Sequence, residues 1–287
     1  MKNQHILITG GAGFIGTHLA TALKAKNKVT VIDLKKGQLK NVKYIQKPYH
    51  QLKTLPQADI IYHLAWDSTP ASSQSLATEQ KSNIKPSAAF IALAKKQNLK
   101  HFIFMSSAGA VYGNIKTPFK ETQTPKPTNN YGKSKLAVEN ILKTQASKNF
   151  KVTVVRATNV IGPGQVLRKN QGVIPAIINC LKNNQVFELW GNSQKDYLSI
   201  GDLISALIAS KKQQSNFEIF NVGSGIVLSV KDIIKLLEKS AGNSLSIKEV
   251  SSKIHDVDTV KIDISKIKSI LNWQPKINIK DIIASLC

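Results

Sequence analysis

The sequence predicts an α/β protein with a doubly wound, mostly parallel sheet and a smaller α/β substrate-binding lobe at its C-terminal end. A glycine-rich turn joins the first predicted strand to the first predicted helix. Short β-branched runs then alternate with longer helical patterns as far as residue 156. Such alternation is typical of a parallel sheet with helices on both faces. After residue 162 the helices are shorter and the strands isolated, which indicates the second lobe.

The turn after the first strand has the glycine spacing of a phosphate cradle. Gly10 allows the tight turn, Gly13 lets the backbone approach a pyrophosphate, and Gly16 lets the helix pack against the strand. Phe14 and Ile15 open the helix, whose first N–H groups face the anion. This order of strand, glycines and helix predicts a Rossmann-type dinucleotide site.

Asp33 supports that prediction and indicates which dinucleotide binds. It ends the second strand about 20 residues after Gly13, where a carboxylate can accept hydrogen bonds from the adenosine ribose. The carboxylate would repel a 2′-phosphate, although Lys35 and Lys36 offset part of that repulsion. We therefore expect NAD as the cofactor.

The individual elements follow from the same patterns. Strands are predicted at 5–9, 28–32, 42–46, 59–63, 100–105 and 151–155. Helices are predicted at 14–26, near 50–55, and at 78–98, 131–148, 171–183, 201–212, 229–240 and 264–271. The predicted NAD-binding Rossmann domain covers 1–162, with segments near 195–215 returning to it, and 163–287 form mainly the substrate-binding lobe. We expect the active site between them, at the carboxyl ends of the parallel strands.

Charge and composition narrow the possible partners. Forty basic and 17 acidic residues give a net charge of +23, but only Arg156 and Arg168 are arginines. The lysines are spread along the chain, with no block longer than a pair, which favours a solvated basic surface over a nucleic-acid site. We therefore expect no nucleic-acid partner, although such a surface attracts acidic small molecules.

The same sequence predicts a cytoplasmic location. The first strand begins at residue 5, which leaves no room for a signal peptide, and no apolar run approaches the ~18 residues of a membrane span. Cys180 and Cys287 lie far apart, so we expect no disulfide framework and a reducing compartment. No spacing of metal ligands stands out, and no metal site is expected.

Tyr131 and Lys135 are the predicted catalytic pair. They are four residues apart at the start of a predicted helix, so their side chains share one face. A tyrosine that acts as a base near neutral pH must lose about three units from its usual pKa, roughly 4 kcal/mol. A neighbouring ammonium and a cationic nicotinamide have the right sign to supply this. Ser106 and Ser107 follow the buried strand 100–105, so their hydroxyls lie at a strand's carboxyl end.

At this point nearly the whole chain resembles the extended short-chain dehydrogenases/reductases of the nucleotide-sugar epimerase/dehydratase family. The motifs that carry the resemblance are TGGAGFIG at 9–16, HLAW at 63–66, SSAGAVYG at 106–113, YGKSK at 131–135, RATNVIGPGQ at 156–165, GNSQKDYLSIGDL at 191–203 and FNVGSG at 220–225. Asn83 and the pair Asp256 and Asp263 match further family positions.

The resemblance implies a Ser–Tyr–Lys site on bound NAD. Tyr131 would take a proton from a sugar hydroxyl, Ser107 would hydrogen-bond the same oxygen, and Lys135 would bind the nicotinamide ribose. Leu64, Ala65 and Asn83 would complete the cofactor site. The implied substrate-binding residues are Ser107, Tyr131, Asn159, Lys195, Lys253 and Val260.

Three departures from the family pattern stand out. Ala108 occupies the usual position of the catalytic serine or threonine, so Ser107 is taken as its substitute and Ser106 remains open. Lys195 and Lys253 stand where the family has pyrophosphate-binding arginines; lysine keeps the charge but not the bidentate fork. The acidic residue that usually follows the third strand is missing near Tyr49.

The residues after the serines narrow the reaction. Family dehydratases and decarboxylases carry carboxylates where this chain has Gly109 and Ala110, and elimination without them lacks its acid and base. Hydride transfer remains, and it favours 4-epimerisation of a UDP-hexose or UDP-N-acetylhexosamine. The alternatives are an NAD(P)H-dependent reductase of nucleotide ketosugars and a non-catalytic, cofactor-sensing or RNA-binding relative.

The resemblance also implies a substrate preference and a quaternary structure. Val260 falls where family 4-epimerases wall off the sugar C2 substituent, and a small residue there admits an N-acetyl group. The other interpretation of Val260 is an alternating strand residue that faces the core. The helices predicted at 78–98 and 131–148 resemble the pair through which family members form a homodimer.

Overall fold

The computed structural model describes residues 3–165, 172–250 and 259–286. The strands are β1 (His5–Thr9), β2 (Lys28–Asp33), β3 (Val42–Gln46), β4 (Ile60–His63), β5 (His101–Ser107), β6 (Val152–Ala157), β7 (Asn159–Ile161), β8 (Phe187–Trp190), β9 (Gln194–Ser199), β10 (Phe217–Val222), β11 (Val227–Ser229), β12 (Ile247–Val250) and β13 (Thr259–Val260).

The helices are α1 (Phe14–Lys24), α2 (Leu76–Glu79), α3 (Lys85–Lys95), α4 (Ala108–Tyr112), α5 (Asn130–Gln145), α6 (Val173–Asn183), α7 (Ile200–Ser210), α8 (Val230–Ala241), α9 (Ser265–Leu271) and α10 (Ile279–Ala284). A 3₁₀ turn covers Tyr49–Gln51, where a short helix was predicted, and a π-helical turn, Gln80–Ile84, joins α2 to α3. None of the helices in the described ranges is long and apolar enough to span a membrane.

The central sheet is parallel and has seven strands in the order β10-β6-β5-β4-β1-β2-β3. Its middle strands are buried on both faces, as their continuous apolar runs predict. One face packs against α1, α7 and α9, and the other against α3 and α5. The predicted doubly wound parallel sheet is thereby confirmed.

The seventh strand was not predicted. β10 pairs with β6 along its whole length, from Phe217↔Val152 to Val222↔Ala157. The sequence predicts that segments near 195–215 return to the Rossmann domain. α7 lies within that range, and β10 begins just after it. The sequence FEIFNV mixes charged, apolar and amide side chains, so it lacks the apolar run that marks the buried strands.

The C-terminal lobe has its own core, in which α6, α8 and α10 pack around apolar side chains such as Ile177, Ile233 and Ile283. Its small sheet has β9 between β11 and β13, and β7 pairs in parallel with the last residues of β9. β7 follows β6 directly, so one continuous segment leaves the central sheet and enters the lobe's sheet. The Thr158 hydroxyl marks the crossing by donating to the Asp196 carbonyl at 2.6 Å. This connection places the lobe beside the carboxyl ends of the central strands.

Candidate active site

The glycine turn between β1 and α1 is shaped for close approach. Gly10 has φ +71°, and a Cβ there would lie 2.7 Å from the Ala65 nitrogen. A Cβ on Gly16 would lie 2.3 Å from the Gly10 carbonyl oxygen, so α1 packs directly on the turn. Gly13 is the N-cap of α1, with no side-chain cap and no acidic residue in the first turn, which begins at Phe14. The turn fits the pyrophosphate of a dinucleotide, because its glycines allow a close approach and the positive end of α1 lies beside it.

Asp33 lies at the edge of this turn, as the sequence predicts. Its Oδ2 accepts a hydrogen bond from the Ala12 N–H at 3.0 Å, and its Oδ1 accepts one from the Lys35 N–H at 3.1 Å. Each carboxylate oxygen retains a second acceptor site. The half-buried carboxylate is therefore held in place and can still accept from a ribose hydroxyl.

The segment after β4 is tied to β1. The Leu64 N–H donates to the Thr9 carbonyl at 3.2 Å, and the Ala65 N–H donates to the Thr9 hydroxyl at 3.3 Å. His63 Nδ1 lies 2.7 Å from the same hydroxyl. Burial, and then the charge of Lys135, lower the pKa of His63 to about 3, so the imidazole stays neutral. These bonds fix Leu64 and Ala65 beside the glycine turn.

Asn83 holds the same segment from the helical side. It is fully buried on the π turn, and its Oδ1 accepts from the Asp67 N–H at 2.9 Å. Its Nδ2 donates to Glu79 Oε2 at 2.8 Å, which also accepts from the Ser134 hydroxyl at 2.7 Å. The side-chain amide of Asn83 is thus hydrogen-bonded to protein groups. It affects the predicted cofactor site by holding the segment after β4 in position. Single π turns often mark functional sites.

Glu79 is a buried carboxylate that the sequence interpretation missed. Its side chain is 1% exposed. Burial raises its pKa, but hydrogen bonds from neighbouring side chains, including Ser134 and Asn83, lower the pKa below its usual value. The sequence indicates this contact only through spacing: Glu79 lies four residues before Asn83, which places both side chains on one helical face.

Lys135 is buried at the centre of the site. Its Nζ donates to the Met105 carbonyl at 2.9 Å and lies 5.7 Å from the centroid of the Tyr131 ring. Burial lowers the pKa of Lys135 to about 7, and the carboxylates of Glu139 and Glu79 oppose that shift. The structure therefore brings the predicted pair together, next to the end of β5.

The electrostatics of Tyr131 differ from the expectation. Burial, and then the negative charge of Glu79, raise the pKa of Tyr131 above its ordinary value. The sequence shows the ammonium four residues away, but it does not show that the ring is desolvated or that a carboxylate folds against it. A positively charged nicotinamide ring must act against both effects for Tyr131 to serve as a base near neutral pH.

The two candidate serines have different surroundings. Ser106 is buried, and its hydroxyl donates to Glu139 Oε1; the other oxygen of that carboxylate, Oε2, forms an ion pair with Arg156. Ser107 is half-buried, and its side chain has no hydrogen bond within the described ranges. Ala108 begins α4 and is fully buried. Of these two serine hydroxyls, that of Ser106 is therefore engaged with Glu139, and that of Ser107 has no partner among the described residues.

Three of the predicted substrate-binding residues, Asn159, Lys195 and Val260, lie on strands of the second sheet. Asn159 opens β7 with an exposed side chain, and its Nδ2 donates to the Asp196 carbonyl at 3.1 Å. Lys195 lies on β9 opposite Val260 on β13. A Cβ on Gly109 would lie 3.7 Å from Val260 Cγ1, so Val260 flanks the segment that follows the serines. Lys253 and Asp256 lie outside the described residues.

The comparisons with known proteins agree with this geometry. The model of the NAD dependent epimerase/dehydratase family matches residues 6–223. Among curated proteins, dTDP-4-dehydro-6-deoxyglucose reductase of Escherichia coli is 29% identical, over 99% of this chain and 97% of its own length.

Two solved structures share the fold over almost the whole chain. UDP-glucose 4-epimerase from Thermotoga maritima, solved with UDP-glucose, has a TM-score of 0.90 and 29% identity, covering 98% of this chain and 96% of its own. UDP-N-acetylglucosamine 4-epimerase from Methanobrevibacter ruminantium M1, solved with UDP-N-acetylmuramic acid, has a TM-score of 0.91 and 26% identity, covering 99% and 97%. This chain belongs to the NAD-dependent epimerase/dehydratase family and uses NAD as its cofactor.

Proposed function

We propose that this protein is an NAD-dependent 4-epimerase of a UDP-hexose or UDP-N-acetylhexosamine. The observation that carries the proposal is the available Ser107 hydroxyl beside the Tyr131–Lys135 pair, without a carboxylate at positions 109 and 110. The two buried carboxylates that act on Lys135 in the described part of the chain, Glu79 and Glu139, are already engaged in hydrogen bonds. This arrangement suits proton transfer at a hydroxyl and lacks the acid and base for elimination.

The residues divide the work of such a reaction. When bound, NAD supplies a hydride acceptor and donor for C4 of the sugar. Tyr131 takes the proton from the C4 hydroxyl as the C4–H bond breaks, and returns it to the oxygen after the 4-keto sugar has presented its other face. Ser107 donates a hydrogen bond to that oxygen, and Lys135 binds the nicotinamide ribose and holds positive charge near Tyr131.

A reductase of nucleotide ketosugars is the second candidate, because the Escherichia coli relative bears that name. A reductase would use the same residues but would consume one reduced cofactor for each product molecule. Epimerisation regenerates the cofactor in every turnover.

One experiment separates the candidates. The purified protein is incubated with a panel of UDP- and dTDP-linked sugars, with catalytic NAD, and the C4 configuration is followed by NMR. An epimerase converts either epimer into the same equilibrium mixture with no net change in reduced cofactor. Turnover only with ketosugars and stoichiometric NAD(P)H would instead support the reductase, and inactivity on every sugar would contradict both.

A further inference from the structure

Trp66 connects the cofactor cradle to the catalytic pair. It directly follows Ala65, whose backbone packs against Gly10 of the glycine turn. Its indole ring lies edge-on to Tyr131, with centroids 6.3 Å apart. Trp66 thus adjoins both the segment beside the glycine turn and the ring of Tyr131.

The ring of Trp66 also covers Lys135. Lys135 Nζ lies 3.6 Å from the centroid of the indole ring, while the same ammonium donates to the Met105 carbonyl. An ammonium at this distance from an indole face is attracted to it, which favours the charged form of Lys135. Trp66 therefore touches both members of the catalytic pair.

The indole N–H of Trp66 is a donor without an acceptor. Nε1 is buried, and no hydrogen-bond partner for it exists within the described ranges. A buried indole N–H usually finds a partner, and leaving one unsatisfied is unfavourable. Trp273 shows the usual arrangement, because its Nε1 donates to the Ser205 hydroxyl at 2.7 Å.

We propose that Trp66 is a cofactor-binding residue whose indole N–H donates a hydrogen bond to the nicotinamide half of bound NAD. The inference rests on NAD as the cofactor and not on the proposed epimerisation. The acceptor is an oxygen of the bound dinucleotide, which satisfies the donor that the protein leaves unpaired. The ring meanwhile keeps the Lys135 ammonium in place.

The test compares two Trp→Phe variants that each remove one indole N–H. Trp66→Phe removes the unpartnered donor and keeps an aromatic ring over Lys135. Trp273→Phe removes a donor that is paired inside the protein with the hydroxyl of Ser205 on α7. NAD affinity is measured by calorimetry on protein stripped of nucleotide, thermal unfolding is recorded with and without NAD, and UDP affinity is measured in parallel.

We expect Trp66→Phe to weaken NAD binding by roughly 5- to 20-fold, as loss of a hydrogen bond with a ligand predicts, while the melting temperature without NAD stays near that of the wild type. Its melting temperature should rise less with NAD than that of the wild type. Trp273→Phe should melt at a lower temperature and bind NAD normally.

Unchanged NAD affinity in Trp66→Phe would overturn the proposal, as would a loss of UDP affinity alone, which would assign the donor to the substrate. A drop in melting temperature that matches Trp273→Phe, with normal NAD binding, would show a purely structural role. These readouts do not depend on turnover, so a protein that fails to epimerise any sugar can still support the inference.

Discussion

The Ser106 hydroxyl donates a hydrogen bond of 2.5 Å to Glu139 Oε1, and this contact separates two adjacent serines by role. Glu139 lies on α5, four residues after Lys135, and its carboxylate also binds Arg156 through Nε and Nη2. Ser106 thus belongs to a buried network that joins β5, α5 and β6. Ser107, one residue later, points its side chain to the other face of the strand.

The first prediction concerns these serines. Ser107→Ala should lower kcat by about 10²- to 10⁴-fold, as expected when a group that assists proton transfer is lost. Ser106→Ala should keep kcat and lower the free energy of unfolding by about 1–3 kcal/mol, because Glu139 loses a donor. Steady-state kinetics and urea unfolding of both variants test this. The reverse pattern would assign the catalytic role to Ser106.

The second prediction concerns Tyr131. Tyr131→Phe should abolish turnover and leave NAD binding intact, because the proton acceptor is lost while the ring remains. Tyr112→Phe is the matched control: its hydroxyl donates to Asn221 Oδ1 at 2.8 Å, so its loss should reduce stability rather than turnover. Single-turnover kinetics and NAD affinity are measured for both variants. Substantial turnover by Tyr131→Phe would contradict its role as the base.

The third prediction concerns substrate choice. Val260 is 3% exposed, packs in a small cluster with Ala108 and Phe119, and flanks Gly109. If it walls the sugar pocket, the wild type should epimerise UDP-N-acetylglucosamine and UDP-N-acetylgalactosamine. Val260→Tyr should then lose activity on these acetylated sugars and keep it on the UDP-glucose/UDP-galactose pair.

The alternative for Val260 is a role in the core alone. Forcing a larger side chain into a packed core costs typically about 1–3 kcal/mol. An equal loss on both pairs of substrates, together with a lower melting temperature, would support that alternative. Absence of acetylated activity in the wild type would also contradict the substrate prediction.

The fourth prediction concerns pH and Asp196. Its fully buried carboxylate accepts hydrogen bonds from the N–H groups of Ser224 and Gly225, at 2.9 and 2.8 Å. Burial raises its pKa from 3.8 to about 6, although these hydrogen bonds oppose the shift. A carboxyl with a raised folded-state pKa favours folding below its unfolded pKa, and this contribution is lost as pH rises through about 6.

Asp196→Asn should therefore be less sensitive to pH than the wild type. As the pH rises from the unfolded-state pKa of Asp196 to its folded-state pKa, the wild type should lose about 3 kcal/mol of unfolding free energy relative to the variant. This value follows from about 1.36 kcal/mol per pKa unit. Urea unfolding at several pH values between 4 and 8 measures the difference. The lost hydrogen bonds add a pH-independent difference in unfolding free energy between the two proteins. If the difference between wild type and variant did not change with pH, the prediction would be contradicted.

The fifth prediction is a homodimer formed through α3 and α5. The exposed stripe of α3 carries Ala89 and Ala92 between lysines, and small side chains allow close helix packing. Light scattering at micromolar concentration should give a dimeric mass for the wild type. Ala89→Arg should shift it toward the monomer, whereas Ala241→Arg, at the exposed end of α8, should not. A monomeric wild type would contradict the prediction.

The amino-acid sequence alone determined the parallel sheet, the glycine turn and the position of Tyr131 and Lys135 on one helical face. These features depend on local spacing. Gly10 and Gly16 are required by contacts between residues close in sequence, and the helix repeat alone places Tyr131 and Lys135 on one face. The alternation of apolar strands and amphipathic helices can likewise be recognised from short stretches of the sequence.

The tertiary structure decided what depends on distant partners. It added β10 to the sheet, engaged Ser106 with Glu139, and folded Glu79 against Ser134, which lies 55 residues away. It also left the Trp66 N–H buried without a partner. Burial and the position of a carboxylate set the pKa of Tyr131 and Lys135, and neither quantity is encoded in the spacing of the motif, because desolvation arises only when separate elements pack together.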